Sequence, residues 1–433
     1  MNETTVVLLA LLILFLFLSF GMEVGFSLAI AGFVGLNLGW GSDVAMGYLN
    51  TTPFRYAASF SLAMIPLFML MGTYSSEGGI ATMLFNTAQK WLGDVRGGLA
   101  MAVMVACAIF SAASGSSSAC AATFTPICYP QMVRLKYDKA LSLGAIAVAG
   151  TLDIMIPPSI TLVFYGLLTG TSIAKLYIAG IIPGIILTLA YSLTVWVLVK
   201  RNPALAPEVT RSTWRERVVS LKDTWAIITL ILLCLGTLYM GIVTPTEAAA
   251  LGAGGALIIG LVWRTITPSG FLKAAVGAAH VTAMIFMIII GAFIFGYVMT
   301  LGNVTPGLIA LVKNAGFSPW VIMTIILIFY IILGCFMDQL AIQALTLPVV
   351  FPLVTSLGFD PVWFGVIIVL TAEIGILTPP LGLNVYVVKA VSKEPLSLVF
   401  RGVYPYLVTD GVILVLLCVF PQLALYLPGT MGG

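Results

Sequence analysis

Four short segments of this 433-residue chain place hydroxyls, amides, carboxylates and interrupted backbone inside long apolar runs. Two are polar turns, Ser-Ala-Ala-Ser-Gly-Ser-Ser-Ser at 111–118 and Gly-Cys-Phe-Met-Asp-Gln at 334–339. The other two are built round paired prolines, Thr151 to Ser159 with Pro157-Pro158 and Thr371 to Asn384 with Pro379-Pro380. A Pro-Pro pair removes two helix donors and frees the carbonyls ahead of it. Freed carbonyls and Ser, Thr and Asn oxygens form a hard, oxygen-rich shell of the kind a small alkali cation requires. The helix that restarts after each break aims its N–H groups into the same space, a natural place for an anionic group. Any one segment alone would read as a proline kink or a Ser-Gly packing contact. Four of them in matched pairs predict two cation sites flanking one anion site.

The residues divide accordingly. In the first half the cation shell is neutral: Ser114, Gly115, Ser116 and the carbonyls at Ile156 and Pro157. In the second half it comprises Gly334, Asp338, Thr378 and Pro379. Ser116, Ser117, Ser159, Gly382 and Asn384 read as contacts of the anion. A carboxylate at membrane depth costs about 2.5–3.5 kcal/mol even on the lenient insertion scale, and no Lys or Arg lies in the four segments to offset Asp338. A cation is its simplest partner, and the competing role is a helix cap. Asp153 and Glu373 precede the two breaks and support them, either by touching a cation or by holding the unwound backbone. Glu247 and Asp410 read as structural residues near helix ends. His280, the only histidine, has no second ligand beside it, and the six cysteines form no C-x-x-C pair and read as small buried hydrophobes.

The elements that must position these residues follow from composition. The chain is 61% hydrophobic and 8% charged, with a net charge of +3 and a mean hydropathy of +1.13. That excludes a soluble enzyme, a disordered chain and a nucleic-acid binder. Continuous apolar runs select membrane helices over strands. Val6–Phe20 has no basic stretch before it and reads as the first span rather than a signal peptide. A shift of 222 positions lays Pro126, Pro130, Pro157, Pro158 and Pro183 on Pro348, Pro352, Pro379, Pro380 and Pro405, so the chain is a duplication. The predicted fold is an all-α polytopic membrane protein of two inverted-topology repeats, each with a re-entrant helical hairpin and a Pro-Pro-broken helix. The first repeat covers 1–199: scaffold helices 1–97, hairpin and broken helix 98–170, closing helix 176–199. A linker at 200–224 leads to the second, 225–433: scaffold helices 225–318, hairpin and broken helix 319–390, closing helix 404–427. With the linker cytoplasmic and both termini periplasmic, all 19 Lys and Arg except Arg55, Lys175 and Lys313 fall inside. An intramembrane serine hydrolase fails for want of a base near Ser114–Ser118, and paired dead-end hairpins suit alternating access better than an open pore.

The Ser114-Gly115-Ser116 tip with Pro126, the Ile156-Pro157-Pro158-Ser159 break, the Asp338 hairpin and the Thr378-Pro379-Pro380-Leu381-Gly382 break make the chain resemble the large membrane subunit of tripartite ATP-independent periplasmic (TRAP) transporters along nearly its whole length. The resemblance implies an elevator-type importer coupled to Na+, with two or more sodium sites and no organic cofactor. It implies a bacterial inner-membrane location and three kinds of partner: a separate small membrane subunit of about four helices, a periplasmic substrate-binding protein, and a small organic anion such as a carboxylate or sulfonate. A stand-alone organic-anion carrier of the same superfamily is the alternative.

Overall fold

The computed structural model describes residues 2–207 and 212–431, apart from the Lys313 side chain, and these are helical with no strand among them. The first half runs α1 (Glu3–Ser19), α2 (Val24–Trp40), α3 (Ser42–Ala57), α4 (Met64–Glu77), α5 (Ile80–Leu92), α6 (Gly98–Ser114), α7 (Ser117–Arg134), α8 (Lys139–Ala149), α9 (Leu152–Met155), α10 (Ile160–Thr169) and α11 (Ile173–Arg201). A linker helix, α12 (Trp214–Ser220), precedes the second half: α13 (Trp225–Tyr239), α14 (Pro245–Val262), α15 (Pro268–Leu301), α16 (Val304–Asn314), α17 (Pro319–Gly334), α18 (Gln339–Ser356), α19 (Pro361–Leu377), α20 (Leu383–Ser392), α21 (Leu396–Val419) and α22 (Gln422–Thr430). Residues 208–211 of the expected linker lie outside the described residues. By length and composition six spans are long and apolar enough to cross a bilayer, or eight if each bent pair is one span.

Local chemistry explains where these helices start. α14, α15, α17 and α19 each begin with a capping residue followed by proline at the first helical position: Thr244-Pro245, Thr267-Pro268, Ser318-Pro319 and Asp360-Pro361. The cap side chain satisfies a free N–H, and proline has none to satisfy. Glu247 closes a capping box with Thr244, the structural role its position suggests.

The halves exchange partners as a two-fold relation demands. α2 packs along α15 and α14 along α4; α7 packs on α20 and α18 on α10; α8 packs on α21 and α19 on α11. Lipid tails are as apolar as leucine, so these crossings are held by close packing rather than by escape from water.

Three features differ from expectation. An additional helix, α3, fills 42–57 and is bent by 54° from the segment that follows; the 3-10 turn Phe60–Ala63 separates it from α4. Its second-half counterpart is the single 34-residue α15, which has no such interruption. The closing helix starts at Leu396, behind Pro395, rather than at 404, and ends before Pro421, with α22 following. The linker is also structured: α12 carries its own capping box at Thr213 and Glu216, and Arg217 pairs with Asp94 beside α5.

At the loop between α20 and α21, Glu394 accepts from Lys139 Nζ and from Tyr129 Oη, each at 2.7 Å. The Lys139 hydrogen bond, then that of Tyr129, holds the Glu394 carboxyl below its ordinary value of 4.5. A depressed folded-state value means the tie contributes fully at neutral pH and is lost as pH falls through the range below 4.5. Glu394→Gln is expected to flatten that acid-side loss of thermal stability, and melting curves between pH 7 and 3.5 would check it. Lys139 is exposed and Glu394 only partly buried, so the effect is small.

Candidate functional site

The two hairpin tips meet across a cavity of about 330 Å³. Four helices begin on its wall. Ser117 opens α7, Gln339 opens α18, Ile160 opens α10 and Leu383 opens α20, and all four line the space. Each helix N-terminus carries roughly half a positive charge, so four supply on the order of two elementary charges, which the Asp338 carboxylate partly offsets. Ser116, Ser117 and Ser118 of the first tip face Asp338 and Gln339 of the second, with Thr161 beside them. None of the described residues lining the cavity is Lys, Arg or His. Val281, Met284 and Ile285 of α15 add an apolar wall, and Ile154 and Ile376 reach it from the segments ahead of the two breaks.

Of the residues singled out from the sequence, Gly115, Ser116, Ser117 and Asp338 line this cavity. Gly115 stands at φ +71°, which lets α6 turn into the tip. Asp338 caps α18, its Oδ1 accepting from Leu340 N at 3.0 Å and Ala341 N at 3.1 Å. The others stand behind the wall. Ser159 is buried and caps α10 through Leu162 N at 3.3 Å. Asn384 is buried too; its Oδ1 accepts from Ser117 Oγ at 3.4 Å, tying the second break to the first tip. Gly382 sits at φ +60° under the Phe400 ring, where a side chain would collide. Gly334 lies against Gly375, so that α17 can rest on α19. Thr378 turns its hydroxyl back to Ile374 O at 2.6 Å, next to Pro379. Ile156 and Pro157 line a separate, apolar cleft on the far side of the break.

Each acid ahead of a break is held by its own half's hairpin tip. Ser114 Oγ donates to Asp153 Oδ1 at 2.6 Å. Gln339 Nε2 donates to Glu373 Oε2, and Asn384 Nδ2 stands 3.5 Å from Oε1 of the same carboxylate. All three acids concerned with the breaks and the closing helix, Asp153, Glu373 and Asp410, are buried.

Two cavity-lining residues, Gln339 and Thr161, were not singled out in the sequence. Gln339 is the repeat counterpart of Ser117, and its Oε1 is buried without a hydrogen-bond partner among the described residues. That pairing by shift was a usable signal. Thr161 gave none. Asp410 is corrected: it lies in the middle of α21, buried, and accepts from Tyr191 Oη at 2.5 Å, while Tyr191 Oη is 3.2 Å from Thr151 Oγ1. It sits mid-helix because α21 starts eight residues earlier than hydropathy implied.

The polar lining is a set of hydroxyl, amide and backbone oxygens with one carboxylate, and no group of three or more His, Cys, Asp or Glu able to hold a metal occurs among the described residues.

The family described as "Tripartite ATP-independent periplasmic transporter, DctM component" matches residues 11–423. The chain is 37% identical to the C4-dicarboxylate TRAP transporter large permease protein DctM of Pseudomonas aeruginosa, over 88% of each chain. It is 32% identical to the sialic acid TRAP transporter large permease protein SiaM of Vibrio cholerae, over 95% of this chain and 96% of the relative. The ectoine/5-hydroxyectoine TRAP transporter large permease protein UehC of Ruegeria pomeroyi is 32% identical over 85% and 86%. The crystal structure of the Alcanivorax borkumensis YdaH transporter superposes with a TM-score of 0.68 over 88% of this chain and 90% of that one, at 14% identity, so the two share a fold.

Proposed function

The chain belongs to the DctM-component family of tripartite ATP-independent periplasmic transporters, and from that membership we propose that it carries a small organic acid into the cell, driven by sodium. The observation that carries the proposal is the convergence of four helix N-termini on one cavity without a lining Lys or Arg. Helix ends alone hold a carboxylate loosely, and a co-bound cation supplies the rest of the neutralisation. Relatives named for C4-dicarboxylates and sialic acid point to a carboxylate as the group recognised.

In this reading sodium is co-substrate. The first-half shell draws on the tip at Ser114–Ser116 and the break at Ile156-Pro157. The second draws on the tip at Asp338 and the break at Thr378-Pro379. The carboxylate of the substrate takes the N–H groups at the starts of α7, α10, α18 and α20. Every polar lining residue belongs to a hairpin or a broken helix, whereas α15 contributes only apolar side chains. A polar wall sliding past an apolar one makes and breaks no hydrogen bonds, and this favours an elevator. α6–α11 and α17–α21 would move against α1–α5 and α13–α16. A periplasmic binding protein would deliver the substrate, a small membrane subunit would brace the scaffold, and the inner membrane would hold the assembly with the linker cytoplasmic.

The test is uptake into proteoliposomes holding the large and small subunits, supplied with the loaded binding protein. An inward sodium gradient should drive accumulation; uptake indifferent to that gradient would sink the proposal. Asp338→Asn keeps a good cap on α18 and removes only charge. It is expected to raise the sodium concentration for half-maximal uptake about tenfold with unchanged melting temperature. An unchanged sodium dependence would leave Asp338 as a cap and nothing more.

A further inference from the structure

Beside the first break lies a second cavity, an apolar cleft of about 360 Å³ between α6, Ile156-Pro157, α11 and α13. Its one hydroxyl-bearing wall residue, Thr188, turns its Oγ1 back to Gly184 O at 2.8 Å. On α11 the residues Leu189, Leu193, Trp196 and Lys200 follow helical spacing down one face, and the three apolar ones are exposed. On α13 Trp225, Ile228, Leu232 and Leu235 do the same, with Lys222 just ahead of the helix. Two neighbouring stripes thus run from an aliphatic cleft to a tryptophan and a lysine. Lys200 Nζ lies 4.6 Å from the Trp196 ring centre. Tryptophan above aliphatic wall, with lysine beyond it, is the order of acyl chain, interface and headgroup in a bilayer.

We propose that this cleft binds the acyl chain of an anionic phospholipid, whose phosphate is met by Lys200 and Lys222. Length and charge select the occupant. From Ile181 to Leu189 the cleft follows α11 for about 12 Å, close to the ~15 Å half-thickness of the hydrocarbon core. A lysine at the interface end of each stripe suits an anionic headgroup better than an apolar helix of the small membrane subunit. The lipid therefore lies between α13 and the α6–α11 pair, with Pro157 at its deep end. The acyl chain would meet the side chains of Ile156 and Pro157, whereas the sodium shell proposed above would use their main-chain carbonyls.

Native mass spectrometry of the purified full chain, delipidated and titrated with phosphatidylglycerol or phosphatidylcholine, tests it. The wild type should hold phosphatidylglycerol in preference to phosphatidylcholine. Lys200→Gln with Lys222→Gln should weaken that binding about tenfold, and Ala108→Phe, which fills the cleft, should remove it. The two lysines are exposed, so their double variant decides the question even if Ala108→Phe fails to fold. Equal retention of the two lipids, or wild-type binding by the lysine variant, would overturn the proposal. So would a photo-cross-linker at Leu232 that captures the small subunit in the assembled complex instead of lipid.

Discussion

Valine in place of Gly402 is expected to abolish recovery of folded protein. At the crossing of α8 and α21, a Cβ on Gly402 would run into the carbonyl of Ala140, and a Cβ on Gly144 would meet the backbone of Gly402. Both obstacles are main chain, which cannot rotate aside. The helices would have to part along their length, and that crossing joins the first repeat to the second. Overpacking against side chains costs typically about 1–3 kcal/mol; against backbone the loss should exceed that, and folded proteins are stable by only about 5–15 kcal/mol. A methyl group on Gly411, in the same helix, would have nothing within 4 Å of it, so Gly411→Ala should behave as wild type. Fluorescence-detected gel filtration reads both. A monodisperse Gly402→Val protein with an unaltered melting temperature would mean that α8 and α21 do not cross as described.

The second large effect is expected at Gln339. Leucine there removes the amide that donates to the buried Glu373 carboxylate and, at 3.5 Å, faces Val369 O. A buried carboxylate stripped of its donor loses about 1–3 kcal/mol or more. The second hairpin tip would also lose its tie to the second break. Uptake should fall at least tenfold, with a lowered melting temperature. Replacing both partners, Gln339→Leu with Glu373→Leu, removes the two polar groups together and should recover stability while uptake stays low. Recovery of uptake along with stability would show that the pair matters only for folding.

Reading the chain alone located both hairpin tips and both breaks, because each interrupts an apolar run with residues that hydropathy and proline chemistry make conspicuous. It did not show which of their residues line the cavity. Ser159 and Asn384 sit beside the breaks in sequence, yet both are buried, one capping α10 and the other bridging to Ser117. Gln339 lay in the polar turn without being assigned a role and Thr161 looked ordinary, yet both line the cavity. Which way a side chain points after an irregular turn depends on the local twist of the turn, and composition carries no record of it.

Asp410 shows the same limit at longer range. Its partner Tyr191 lies 219 residues away in the other half, and no periodicity within α21 announces that contact. The duplication itself, the membrane class and the placement of Asp153 and Glu373 ahead of paired prolines were determined by sequence, since they depend on local chemistry and internal comparison. The convergence of four helix starts on one cavity was decided by tertiary structure. It arises because the hairpin of each half packs on the broken helix of the other, α7 on α20 and α18 on α10. A helix dipole has direction as well as sign, and only the packed arrangement of the two halves makes four of them point at one place.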